Sequence, residues 1–483
     1  MAVRGGGPAG PVVVALACAA QFMVVLDISV VNVALPSIRQ ALGFGPADPQ
    51  WVVNGYALAF AGFLLLGGRL ADLYGLRRVF AAGLALFSAA SLVGGLAATP
   101  GVLVAARAAQ GLGAAVLAPA TLTLLTTTFP EGPGRTRALA AWTSVGLAGG
   151  TAGNLIGGAL TEWLSWRWIL LVNVPLGAVA LPLAMAFLSA GGGRAREGRR
   201  LDVAGAVTVT SGLVLLTFGV TQVRGRGWDD PVTLCALGGA VLALAAFVLV
   251  ETRPAAAPLM PLRLLRPRSI WAGNLVLLLA GACLNPMWFF LTFYMQDGLG
   301  YGGLRTGLGF LPHTVVTIAV GLRLTPWLME RVDARVLIGG GALVAAAGFA
   351  WQSRAVPEGG YVPGVLGPAV LISAGAGLLN GPVAVAVTRG VAPGDAGAAS
   401  GLMNTAKQVG GALGLAVLST AAAAGAAGTA GTAGAAGAAG ADGLAGSFDH
   451  GRAFLAMAAV MAAVAALAAT LPPAANERMG TPA

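Results

Sequence analysis

The sequence predicts an all-α polytopic membrane protein: fourteen spanning helices, arranged as two six-helix halves with an inserted pair between them. Three observations carry that prediction. Charge is scarce, apolar runs of membrane-crossing length recur along the whole chain, and one polar loop occurs twice. Of 483 residues, 57% are hydrophobic and 10% charged, with a mean hydropathy of +0.82. Soluble globular chains carry about a quarter charged residues.

A spanning helix needs about 20 mostly apolar residues. That criterion selects 12–35, 51–71, 79–98, 101–128, 138–161, 168–189, 201–221, 232–251, 269–293, 306–329, 335–352, 361–388, 399–422 and 452–471. The runs lack the alternation of a membrane β-barrel, so strands are disfavoured. The stub MAVRGGGPAG reads as a cytoplasmic leader into the first span, because no small-residue cleavage site follows a short apolar core.

Basic residues orient the bundle. With the N-terminus inside, the cytoplasmic segments hold most of the arginines, including Arg77, Arg78, Arg135, Arg137, Arg194, Arg196, Arg199, Arg200, Arg331 and Arg335. The external segments hold only Arg39, Arg167, Arg224, Arg226, Arg305, Arg354 and Arg452. An even number of spans then places both termini in the cytoplasm. The net charge of +10 is spread between apolar segments, so it reads as a topology signal and no nucleic-acid partner is expected.

The recurring loop is LADLYGLRRV at 70–79 and LMERVDARVL at 328–337. Each starts with Leu, carries an acid two residues later (Asp72, Glu330) and an arginine five beyond that (Arg77, Arg335). The match divides the chain into 1–190, an inserted pair at 191–268, and 269–483. Parallel repeats of this kind characterise one large class of secondary transporters. The Ala/Gly/Thr-rich stretch 421–446 reads as an external loop or frayed helix with no chemistry assigned.

Within QFMVVLDISVVNVALP, Asp27 is the one acid deep inside a predicted span. A charge there costs at least about 2.5–3.5 kcal/mol on insertion scales, so it is expected to face a watery cavity and to have a partner. At about 1.5 Å per residue, Asp27 lies ~12 Å and Arg107 ~10 Å from the outer ends of their helices. The two can therefore pair across a central cavity, either as a static tie or as a proton-exchanging group whose charge answers to its surroundings. Gly149, Gly153 and Gly157, with Gly150 and Gly158 beside them, form a flat face for close helix packing. A substrate cavity is expected to draw on Phe22, Met23, Asn32, Gln110, Asn285, Trp288, Phe289, Asn380, Asn404 and Gln408. Aromatic and Met side chains there favour flat, lipophilic or cationic ligands, although lipid contact and core packing use the same residues.

Other chemistry finds no support. Cys18, Cys235 and Cys283 form no CxxC pair, and His313 and His450 are too few and too distant for a metal site. The single lysine, Lys407, sits between Ala406 and Gln408, so no phosphate-binding GxxxxGK loop exists. No cofactor and no catalytic residue is expected. An ion gradient is the energy source left for uphill transport by one chain, which is expected to act as a monomer.

These residues resemble a known family. LDISVVNVALP (26–36), GRLADLYGLRRVF (68–80) and LVAARAAQGLGAA (103–115) are similar to signatures of the major facilitator superfamily. SWRWILLVNVPLG (165–177) and AGAASGLMNTAKQVGGALG (396–414) resemble its fourteen-helix drug:proton antiporter branch. The resemblance implies the major facilitator fold and a multi-pass protein of the bacterial inner membrane. It implies proton-coupled export of small amphipathic drugs or antibiotics by alternating access, with a symporter or uptake carrier as the alternative and a membrane enzyme or sensor as a remote one. It assigns proton coupling to Asp27 and Arg107, with Gln110 and Gly111 following in pattern. It assigns a conformational latch to Gly68, Asp72, Gly75, Arg77 and Arg78. It assigns the helix-five antiporter motif to Gly149, Gly153, Asn154, Gly157 and Gly158. Two positions depart from the pattern. Leu73 and Leu76 stand where basic residues are usual, and Gly153-Asn154 replaces Gly-Pro, which removes an expected kink.

Overall fold

In a computed structural model, the described residues are 9–45, 48–130, 132–188, 202–252, 263, 266–388, 391, 396–432 and 449–472. Among them the secondary structure is helical throughout. The long segments are α1 (Ala9–Leu42), α2 (Gln50–Tyr74), α3 (Leu76–Gly95), α4 (Pro100–Thr128), α5 (Pro133–Trp163), α6 (Trp168–Phe187) and α7 (Val203–Arg226). They continue with α8 (Pro231–Thr252), α9 (Arg268–Gly298), α10 (Gly303–Met329), α11 (Ala334–Gln352), α12 (Val362–Thr388), α13 (Ala396–Thr432) and α14 (His450–Ala468). Among the described residues, eleven segments are long and apolar enough to cross a membrane. The other three, α2, α5 and α13, are long as well, at 25, 31 and 37 residues.

Several segments are interrupted where the sequence reading drew them straight. α6 is broken at Val172, and α9 at Asn285, immediately before Pro286. α9 then ends in a π-helical turn, Tyr294–Gly298, and α10 contains another, Val320–Leu324. Proline lacks the N–H of the helical ladder and clashes with the carbonyl four residues back, which accounts for the break at Pro286. By contrast α5 runs unbroken through Asn154, as expected without a proline there.

The stretch from 421, read as external loop or frayed helix, is helical where it is described. α13 continues as helix to Thr432, because alanine is the strongest helix former and carries the backbone ladder onward. The remainder of that stretch, the leader at 1–8 and the arginines at 194–200 lie outside the described residues.

α1 to α6 pack together, α9 to α14 pack together, and α7 and α8 pair with each other while α7 lies against α2 and α13. The apolar core of the first group runs through Met23, Phe80, Phe87, Leu117 and Leu125. Large apolar side chains such as Leu242 (73% exposed) and Val179 (63%) point outward, as lipid-facing residues must. The glycine face of α5 lies against α1. A Cβ at Gly153 would stand 2.6 Å from the Ser29 Cβ, and one at Gly157 would stand 2.7 Å from the Val30 carbonyl oxygen. Gly149 meets Phe22 and Val25 of the same helix, while Gly158 abuts the Gly303 backbone of α10. The recurring loop joins α2 to α3 in one place and α10 to α11 in the other. In the first, Gly75 has φ +86°, a left-handed conformation that favours glycine.

Candidate functional site

Asp27 and Arg107 form an ion pair in the interior of the α1–α6 group, with side chains 0% and 2% exposed. α1 places Asp27 about 18 residues into the helix, and α4 presents Arg107 opposite. The pair is closely supported. Gln110 Nε2 donates to Asp27 Oδ1 at 3.0 Å, and Asn173 Nδ2 of α6 donates to the same oxygen at 3.1 Å. Arg107 Nη1 also donates to Gln110 Oε1 at 3.0 Å, and its Nε donates to the Val52 carbonyl of α2 at 3.0 Å. Gln110 reaches Ser91 Oγ of α3 at 2.6 Å. The Arg107 guanidinium lies 4.5 Å from the centre of the Tyr56 ring, a cation–π contact worth more in a dry site than in water. Residues of five helices, α1 to α4 and α6, thus meet in one cluster around the carboxylate, and its charge is matched by charge and by hydrogen bonds, which is what makes burial tolerable.

A cavity of about 330 Å³ lies between the two helix groups. Ile28, Ser29, Val31 and Asn32 of α1, Asn54 and Tyr56 of α2, Arg107, and Gly150 and Asn154 of α5 line it on one side. Asn285, Trp288 and Phe289 of α9, His313 and Thr317 of α10, and Gln408 of α13 line the other. A larger cleft, about 590 Å³, lies at the far end of α11 around Trp351 and Arg354, away from the ion pair.

Of the residues expected in the cavity, Asn32, Asn285, Trp288, Phe289 and Gln408 line it. Five others lie elsewhere. Met23 is fully buried in the packed core, and Phe22 lies against Gly149. Gln110 is spent on Asp27, Asn404 is exposed and bonds to its own Ser400 carbonyl, and Asn380 of α12 is half-buried elsewhere. Helical rotation of about 100° per residue explains the α1 outcome: Ile28 and Asn32, four apart, share the cavity face, whereas Met23 and Asp27 share the next face round. Asp27 itself is therefore not in the cavity wall, contrary to expectation; Arg107 stands between the two. Sequence reasoning missed Asn54, Tyr56, Asn173 and His313. The polar positions of α2 and α6 were there to be read, but only their convergence on Asp27 and the cavity gives them meaning.

The latch residues are less engaged. Gly68 and Arg77 are half-buried and Arg78 is exposed, and neither arginine makes an ion pair among the described residues. The side chain of Asp72 lies outside the described set. α2 and α13 also touch near their middles, where Thr405 Oγ1 donates to the Ala61 carbonyl at 3.3 Å, but most polar ties between the helix groups lie at the end opposite the latch. Arg39 Nη2 meets Asp297 Oδ2 at 2.9 Å, Gln296 Nε2 donates to the Val33 carbonyl at 2.8 Å, and the Leu304 amide donates to Glu162 Oε2 at 2.8 Å. Ser419 Oγ donates to Gln50 Oε1 at 2.7 Å. Among the described residues there is no group of three or more metal-ligating side chains.

Comparison with known proteins matches the Major Facilitator Superfamily over residues 17–415. A cephamycin export protein of Amycolatopsis lactamdurans is 59% identical, covering 84% of this chain and 83% of that protein. A puromycin resistance protein of Streptomyces alboniger is 43% identical, covering 84% and 80%. A tetracenomycin C resistance and export protein of Streptomyces glaucescens is 36% identical, covering 82% and 73%. Among solved structures, a bacterial homologue of the human lysosomal transporter Spinster, in an inward-facing and unoccupied conformation, superposes with a TM-score of 0.66 at 17% identity, covering 97% of this chain and 98% of that one. With the helical groups, the central cavity and this match together, the chain belongs to the Major Facilitator Superfamily of membrane transporters.

Proposed function

We propose that this protein is a proton-coupled exporter that moves small amphipathic antibiotics out of the cytoplasm by alternating access. The observation that carries the reading is the position of Arg107, which is both the partner of Asp27 and part of the cavity wall. A proton arriving at Asp27 neutralises the carboxylate and frees the guanidinium. The freed group turns into the cavity and takes up room that a ligand would fill. Proton and ligand then compete, which is the requirement for exchange.

Alternating access is supported by the uneven distribution of contacts between the helix groups. One end is tied by Arg39–Asp297, Gln296, Glu162 and Ser419. The glycine surfaces of α5 against α1 and α10 allow close backbone approach and a rocking motion without interlocked side chains. Relatives named for cephamycin, puromycin and tetracenomycin C support an antibiotic as cargo. On this reading all fourteen segments cross the plasma membrane, both termini are cytoplasmic, and the tied end faces outward. The functional units are 1–190, the inserted 191–268 and 269–483, acting as a monomer without a cofactor.

Inside-out vesicles containing the protein test the reading. Labelled cephamycin should accumulate when the lumen is acidic and cease to do so when the pH gradient is collapsed. Accumulation indifferent to the gradient, or driven only by the opposite gradient, contradicts it.

A further inference from the structure

Four buried polar groups of the cavity wall have no use in the coupling scheme. Asn54 is 0% exposed, and neither its Nδ2 nor its Oδ1 has a hydrogen-bond partner among the described residues. The same holds for the Tyr56 hydroxyl, Asn154 Oδ1 and His313 Nε2, in side chains 2%, 4% and 2% exposed. Buried polar atoms are nearly always paired, because leaving one unpaired forfeits its hydration without return. Other unpaired atoms are scattered through the bundle, Asn173 Oδ1 and Asn274 Oδ1 among them, but these four side chains, from α2, α5 and α10, line one cavity together.

We infer that this cavity recognises an amphipathic ligand through a primary carboxamide, carbamate or lactam, with Asn54 as the residue that pairs with that group. The inference rests on the exporter reading for the passage of the ligand, but the recognition is a matter of the wall alone. A side-chain amide with both ends free is complemented only by a group that presents a carbonyl and an N–H along one edge. An ester, ketone or carboxylate accepts from Nδ2 and leaves Oδ1 unpaired. Asn54 is well held for this purpose, since two residues before it Val52 receives the Arg107 Nε–H and two residues after it Tyr56 lies against the guanidinium.

The opposite wall supplies secondary anchors. His313 Nδ1 lies 3.0 Å from Ser373 Oγ; with that hydroxyl donating, Nε2 carries the proton and offers it to a ligand oxygen. Trp288, whose ring is 5.5 Å from that of His313, supplies an aromatic surface for the apolar body. No carboxylate lines the cavity among the described residues, and Asp27 is screened by Arg107, so a cationic ligand meets no counter-charge. The four polar heads have almost no solvent access in this state. The wall must part slightly around them as a ligand enters, as rocking of the helix groups permits.

Equilibrium titration of the purified full-length protein in detergent tests the inference without any gradient. The probes are 2-naphthamide, N,N-dimethyl-2-naphthamide and methyl 2-naphthoate. The primary amide should bind about tenfold more tightly than the other two, the gain expected from pairing Oδ1, which they leave buried and unmet. Asn54→Leu should abolish that preference, leaving the three probes within about twofold of one another. Equal binding of the three probes by the unaltered protein, which requires no variant to fold, overturns the inference. So does a preference that survives in Asn54→Leu. An amide preference in a protein that shows no gradient-driven transport would sink the exporter reading alone, and gradient-driven export without the preference would sink this inference alone.

Discussion

The Asp27 carboxylate and the Asn54 amide occupy neighbouring faces of the same helix group, and the bundle treats them in opposite ways. Around Asp27 each carboxylate oxygen is met: Oδ1 by Gln110 and Asn173, Oδ2 by Arg107. Around Asn54 nothing is met, on its own side chain or on His313 Nε2 across the cavity. A buried charge left without partners is intolerable, so the first cluster had to be completed by the protein itself. A neutral amide is a smaller penalty, and leaving it open is what allows the wall to discriminate among ligands. The difference separates a part that responds to protons from a part that responds to cargo, with Arg107 as the one side chain belonging to both.

Substitutions that unbalance the charged cluster should have the largest effects. Arg107→Ala strands a carboxylate in the interior and should destabilise the protein by about 3–5 kcal/mol, read as a lower thermal midpoint in detergent. Asp27→Asn with Arg107→Gln removes both charges together. The double variant should melt above Arg107→Ala, and a lower midpoint would mean that burial of the pair is not the governing cost. Next comes the glycine face, where Gly157→Val would drive a branched side chain into the Val30 backbone. Overpacking of this kind costs about 1–3 kcal/mol, and transport should fall further than stability if the face also slides. The smallest effect belongs to the tied end. Arg39 and Asp297 are 11% and 21% exposed, and Asp297→Asn should cost about 0.2–1 kcal/mol while making cysteines placed nearby more accessible to thiol reagents. Unchanged accessibility would remove that pair from any gating role.

Much of the bundle was legible because the bilayer imposes simple rules. A run long and apolar enough to span is a one-dimensional property, and so is the repeat of small residues at Gly149, Gly153 and Gly157. The Asp27–Arg107 pair was legible for the same reason: two charges at one depth have few other options. The facing of each residue was harder. Met23 and Asn32 both stand on α1, yet one is core and the other cavity, and which arc of a helix faces which neighbour depends on packing against α4 and α5. The interruptions of α9 and α10 depend on tertiary contact in the same way. Asn54 and His313 were passed over because each is unremarkable until its partners, or their absence, can be seen in three dimensions. The alanine-rich run after residue 421 has a low complexity that fits either loop or frayed helix, and its helix propensity carries α13 to Thr432.

The claim on which the mechanism depends is that the charge of Asp27 couples the two gradients. Asp27→Asn in proteoliposomes addresses it directly, with labelled cephamycin followed in two modes. Exchange of labelled for unlabelled compound at equal pH should persist, because the cavity is intact, while accumulation driven by an imposed pH gradient should vanish. Gradient-driven accumulation at the unaltered level in that variant would contradict the account.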